Sequence, residues 1–171
     1  WATVFGPDGH LYVGGNLSHN IIRFNIATGA YDVLVASDAG GLGAPKGLTF
    51  GPDGKLYASS VVGTIPNTID TVKRFDPATG AYLGDFVAAG SGGLLNANGS
   101  AFGPDGNLYV ASTRSSEIKR YSGTTGAYID TFIAANYGGV GNPTNFEVRS
   151  DGYLYLVRNN NSIVYRYNAT T

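Results

Sequence analysis

Cysteine and methionine are both absent from the 171 residues. Without thiols there are no disulfide bridges and no thiolate metal sites, and the redox compartment stays open. Charge is scarce as well: Asp, Glu, Lys and Arg make up 13% of the chain, against roughly 25% in an average soluble protein. The net charge is −1 and no basic run occurs. Neither nucleic-acid phosphates nor an anionic membrane surface has a matching footprint here, so no nucleic-acid partner is expected. No apolar stretch approaches the roughly 18 residues of a spanning helix, so no membrane span is expected. The chain opens at Trp1 with no initiator methionine and no apolar leader, and is expected to be a mature or excised segment of a longer product.

What is present is glycine, 26 residues, and tyrosine, 12 residues. Both serve a repeat. Phe5-Gly-Pro-Asp-Gly-His-Leu-Tyr12 returns as Phe50-Gly-Pro-Asp-Gly-Lys-Leu-Tyr57, as Phe102-Gly-Pro-Asp-Gly-Asn-Leu-Tyr109, and in worn form as Val148-Arg-Ser-Asp-Gly-Tyr-Leu-Tyr155. The turn aspartates Asp8, Asp53, Asp105 and Asp151 stand 45, 52 and 46 residues apart, a period that belongs to propeller blades. In Gly-Pro-Asp-Gly the proline presets φ, the aspartate tolerates the next position, and the glycine takes the left-handed one. The Asp is assigned to the turn.

The runs on either side of this turn read as strands A and B of a hairpin. A third run follows in each repeat: Asn20-Ile-Ile-Arg-Phe24, Thr71-Val-Lys-Arg-Phe75, Glu117-Ile-Lys-Arg-Tyr121 and Ser162-Ile-Val-Tyr-Arg-Tyr167. A second turn, Ala27-Thr-Gly29, Ala78-Thr-Gly80 or Thr124-Thr-Gly126, leads into strand D at Ala30–Leu34, Ala81–Phe86 or Ala127–Phe132. Four antiparallel strands per repeat make a blade. The expectation is one all-β propeller domain over residues 1–171, with repeats at about 1–36, 46–88, 98–134 and 143–171. The last blade is incomplete, or the whole is part of a larger propeller.

The signature, followed by Ile-x-Arg-Phe and Ala-Thr-Gly-Ala-Tyr, resembles the NHL-type propellers and their bacterial relatives, which include streptogramin lyases and gluconolactonase-like enzymes. The resemblance covers essentially the whole chain and implies the fold. It does not choose a function, because this architecture hosts hydrolases, lyases and binding modules.

Blade accounting leaves one strand missing. Trp1-Ala2-Thr3 is already strand A, and the sequence stops after the fourth strand C. The run Ile163, Val164, Tyr165, Arg166 and Tyr167 is therefore expected to present an open outer edge that another chain can pair with.

Strand order places the A–B and C–D turns on one face of the disc and the B–C and D–A connections on the other. The turn face repeats its residues, whereas the B–C loops (Gly15 to His19, Val61 to Asp70, Thr113 to Ser116, Arg158 to Asn161) and the D–A loops (Ser37 to Lys46, Ala89 to Asn98, Ala135 to Pro143) vary. Binding sites favour variable loops on a rigid scaffold. Strand A sends Lys46, Asn98, Asn145 and Glu147 toward the channel, where they are candidates for a polar binding site. The resemblance to gluconolactonase-like enzymes implies a divalent cation held by a Glu and Asn residues in such a place. No second channel acid is identifiable, so no metal and no cofactor are expected. Streptogramin lyases use a His with neighbouring acid groups, and no Glu accompanies His10 or His19, so no catalytic residue is assigned. Arg23, Arg74, Arg120 and Arg166 occur once per repeat and read as structure, stacking on aromatics or bonding turn carbonyls. Asn16, Asn98, Asn160 and Asn168 begin Asn-x-Ser/Thr sequons, candidates for glycosylation in a secreted or cell-surface protein.

These readings converge on an extracellular, non-enzymatic binding or self-assembly module. It is expected to be a homo-oligomer or polymer joined through the incomplete blade, with a protein or carbohydrate as ligand. A small lactonase- or lyase-like enzyme with a site in the central channel is the alternative.

Overall fold

A computed structural model describes residues 2–63, 68–158 and 163–169. The first sheet holds β1 (Ala2–Phe5), β2 (Leu11–Gly15), β3 (Asn20–Phe24) and β4 (Tyr31–Val35). The second holds β5 (Ala44–Phe50), β6 (Leu56–Val62), β7 (Ile69–Phe75) and β8 (Tyr82–Val87), and the third β9 (Ala97–Phe102), β10 (Leu108–Ser112), β11 (Glu117–Tyr121) and β12 (Tyr128–Ile133). The fourth has β13 (Pro143–Val148), β14 (Tyr153–Arg158) and β15 (Val164–Asn168). Every sheet is an antiparallel meander in chain order. These are four blades of a β-propeller, three with four strands and the last with three among the described residues.

The repeated turn does more than reverse the chain. One carboxylate oxygen of Asp8, Asp53, Asp105 and Asp151 accepts the backbone N–H of His10, Lys55, Asn107 and Tyr153 at 3.0–3.1 Å. The other accepts the hydroxyl of Tyr12, Tyr57, Tyr109 and Tyr155 at 2.7–3.1 Å. A residue read as a turn former thus also fixes the tyrosine four positions on, and in the first three blades this tyrosine stands between blades.

Cross-strand pairing sorts each blade into two faces. In the first, Tyr12 pairs with Val4 and Arg23, and Gly14 with Ala2 and Ile21, so these six share one face, called here the exit face. Phe5, Leu11, Val13 and Phe24 share the other, the entry face. The exit face of each blade packs on the entry face of the next. Tyr12 and Ile21 meet Leu56, Ala58 and Phe75 in one core. Tyr57 and Val72 meet Leu108, Val110 and Tyr121 in a second, and Tyr109 and Ile118 meet Leu154 and Leu156 in a third. Tyrosine and phenylalanine rings close each seam edge-on, Tyr12 on Phe50 at 5.1 Å and Tyr57 on Phe102 at 5.0 Å between centroids.

The inner strands approach closely where glycine allows it. A Cβ on Gly47 would stand 2.5 Å from the Asn98 carbonyl oxygen, and one on Gly99 2.9 Å from Asn145 Oδ1. β1 packs on β5, β5 on β9 and β9 on β13. β13 and β1, which would meet if the four blades closed on themselves, share no comparable packing among the described residues. The blades therefore describe an arc.

Burial of the ring, and then the hydrogen bond to Asp53, push the Tyr57 hydroxyl up to about 12, and burial with Asp8 does the same for Tyr12. A phenol that ionises near 10 unfolded and near 12 folded stabilises the native state below pH 10. That contribution is lost as pH rises from 10 to 12. A melting curve followed across this interval is expected to move steeply downward, and Tyr57→Phe to flatten the slope. A melting point constant to pH 12 contradicts the buried-phenol geometry.

Candidate functional site on the loop face

The D–A connections look divergent in sequence but share one backbone. Asp38, Gly90 and Asn136 take left-handed φ of 59°, 73° and 65°. Each opens a short 3₁₀ turn, at Ala39–Gly41, Ser91–Gly93 and Tyr137–Gly139. The next apolar residue, Leu42, Leu94 or Val140, then seals the blade seam. The variation expected of this face is therefore variation of side chains on a repeated frame.

Between the first two blades these loops enclose a cavity of 430 Å³. Asn16, His19, Asp38, Lys46, Thr68 and Asn96 supply its polar side chains, and Val61 part of its apolar wall. His19 Nδ1 lies 2.9 Å from Asp38 Oδ1, and the Asp38 N–H donates to the His19 carbonyl at 3.0 Å. No Glu accompanies His19, as the sequence indicates, and the structure adds an acid that the sequence reading did not name: an Asp 19 residues on, delivered by the D–A loop. Aligning Asp38 with Gly90 and Asn136 would have exposed it as the one acid at this loop position. The pair is open to solvent, with side chains 41% and 73% exposed, and it belongs to the first blade alone. His10 also has an acid, Asp8 Oδ2 at 3.2 Å, but on the turn face.

The channel residues are spread along the inner strands. Lys46 lines the loop-face cavity and makes no ion pair among the described residues. Asn98 is half-buried on β9, its backbone against Gly47. Asn145 and Glu147 line a different hollow, of 340 Å³, on the exit face of the last blade, where Glu147 Oε1 lies 3.4 Å from Arg149 Nε. Lys46 and Glu147 are thus not gathered into one cavity. No group of three or more His, Asp or Glu able to hold a metal occurs among the described residues.

The recurrent arginines are structural in more ways than stacking. Arg23 and Arg120 each grip a strand-D carboxylate with two nitrogens, Asp32 at 3.0–3.1 Å and Asp130 at 2.6–3.1 Å. Arg23 also donates to the turn carbonyl of Pro77 in the next blade at 3.1 Å. Arg74 faces Asp53 at 3.8 Å, and Arg166 lies 4.5 Å from the Tyr153 ring centre.

On β15, Tyr165 and Tyr167 turn into the third core, and the Tyr167 hydroxyl donates to the Gly138 carbonyl at 3.1 Å. Val164 and the neighbouring Ile163 are exposed. β15 pairs with β14, and no fourth strand lies on its other side among the described residues. Of the sequons, Asn16 and Asn168 are exposed, Asn98 is half-buried on an inner strand, and Asn160 lies outside the described residues.

No protein-family model matches this chain, and no curated protein matches it either. Solved structures do. A gluconolactonase from Xanthomonas campestris superposes with a TM-score of 0.76 at 24% identity, covering 98% of this chain and 58% of its own. An auxiliary nutrient binding protein from Bacteroides ovatus gives 0.75 at 16% identity, over 97% of this chain and 37% of its own. Virginiamycin B lyase from Staphylococcus aureus gives 0.64 at 14% identity, over 98% and 54%. At such identities the likeness is one of fold. The chain shares the β-propeller fold of these proteins, and it spans less than three-fifths of each of them.

Proposed function

We propose that the chain is a non-enzymatic binding and self-assembly module that works outside the cell. The observation that carries this reading is the open arc: among the described residues β13 has no packing on β1 comparable to that between the other inner strands, and the fourth sheet shows three strands. An open edge and uncovered blade faces are surfaces that proteins ordinarily pair or cover. The loop-face cavity supports a ligand role. Its mixture of amide, imidazole, carboxylate, ammonium and aliphatic groups suits a small polyol such as a carbohydrate. The likeness to a nutrient binding protein is in keeping with that. The exposed sequons at Asn16 and Asn168 support the extracellular placement.

A second reading has its own observation. Asp38 beside His19 orients an imidazole at the cavity, the arrangement a general base needs, and two of the structural neighbours are a lactonase and a lyase. One experiment separates the readings: light scattering of the chain across the micromolar range, with turnover of a simple aldonolactone followed in the same samples. The proposal expects mass to rise with concentration and no turnover that depends on His19. A chain that stays single at every concentration sinks the assembly role, and turnover abolished by His19→Ala moves the function to catalysis.

A further inference from the structure

The two ends of the arc are the halves of one joint. On the entry face of the first blade, Leu11, Val13 and Phe24 are only half-buried, whereas Leu56, Leu108 and Leu154 at the position of Leu11 are fully buried. Phe5 is 62% exposed, whereas its counterparts Phe50 and Phe102 lie edge-on against the tyrosine of the preceding blade. The exit face of the fourth blade shows the reverse deficit. Val164 is 62% exposed where Ile21, Val72 and Ile118 are fully buried, and Val157 is 48% exposed where Ser59 and Ala111 are fully buried. Tyr155 is half-buried, whereas Tyr12, Tyr57 and Tyr109 are sealed. The 340 Å³ hollow beside Tyr155, Val157 and Val164 is where, by the repeat, the phenylalanine of a following blade belongs.

We propose that the exit face of the fourth blade docks on the entry face of the first blade of a second copy, head to tail, by the same seam that joins the blades within the chain. This rests on the assembly half of the proposed function and names its surface: the joint is made by the blade faces, with the β15 edge only alongside. A second copy is the occupant because the surface that fits an exit face, three times over within this chain, is an entry face, and the entry face of the first blade is uncovered among the described residues. Burying matched apolar surface on both sides drives the association. The interface is heterologous, so repetition yields a closed ring or an open chain of subunits.

Two capping variants test it, Phe5→Asp at the front and Val164→Asp at the rear. Both side chains are exposed in the single chain, so the fold is expected to hold, and circular dichroism melts verify it. In sedimentation or light scattering, each variant alone is expected to associate at least about tenfold more weakly than the parent chain, the cost of one apolar anchor. An equimolar mixture of the two is expected to form a dimer and stop there, because the one intact exit face and the one intact entry face are used in the joint and both outer faces of the dimer carry an Asp. Parent-like association by both variants overturns this joint while leaving assembly through the β15 edge in place. A parent chain that is single at all concentrations overturns the joint and the assembly reading together, and leaves the two faces to further blades of a longer polypeptide.

Discussion

Replacing Tyr57 by alanine is expected to cost about 3–5 kcal/mol of stability, the range for removing a large buried aromatic. Tyr155→Ala, at the same position of the fourth repeat, is expected to cost a small fraction of that. The Tyr57 ring is sealed between Phe86 and Phe102, edge-on to both at 4.9 and 5.0 Å, and its hydroxyl donates to Asp53 at 2.9 Å. Truncation removes the ring from the second core, opens a cavity and leaves Asp53 one hydrogen bond short. Tyr155 keeps its own bond, to Asp151 at 2.7 Å, but has no following blade to pack on. Urea unfolding of the two variants at a concentration where the chain is single gives the comparison. Equal losses would mean that the fourth blade is covered in some other way.

Leu108→Ala is expected to cost about 2–5 kcal/mol. Leu108 is fully buried on the entry face of the third blade, in the core it shares with Tyr57, Val72, Val87 and Tyr121. The β-sheet frame around it is hydrogen-bonded on both sides and cannot collapse into the space, so transfer and cavity costs both apply. Leu11→Ala, the same change in the first repeat, removes a side chain that is only half-buried and is expected to cost clearly less. A melting point unmoved by Leu108→Ala contradicts the seam as the source of stability.

How much of this was legible in the residues depends on what repeats. Turn chemistry and strand order could be read directly, because Gly-Pro-Asp-Gly imposes its own dihedrals and apolar runs flank it. Strand limits moved by one to three residues, as at β6, which runs on to Val62. The hydrogen bond from Tyr57 to Asp53 was open to inspection at a spacing of four, yet the turn alone already accounted for the Asp. The 3₁₀ turns lie outside the blade signature, yet Gly-Gly followed by Leu42, Leu94 or Val140 recurs in all three loops, and the left-handed φ of Asp38, Gly90 and Asn136 shows what that repeat encodes. That alignment marks Asp38 as the one acid at its loop position, but its contact with His19 needed the structure, since it depends on two loops meeting across one blade. That the fourth sheet shows three strands among the described residues followed from counting. The open blade faces did not, because sequence periodicity marks Leu11 and Leu56 alike and cannot say which has a neighbour.

The absence of native cysteine makes the central claim open to one direct measurement. The claim is that the first and last blades carry complementary faces that do not meet within a chain. In the double variant Phe5→Cys and Tyr155→Cys, both thiols lie where the joint brings a phenylalanine and a tyrosine together. Bridging with a short bismaleimide, followed by a denaturing gel across a dilution series, reads which faces meet. The arc predicts a ladder of dimers and higher products that fades on dilution. A single internally bridged chain, formed equally well at every concentration, would show that the four blades close on themselves and would contradict the account.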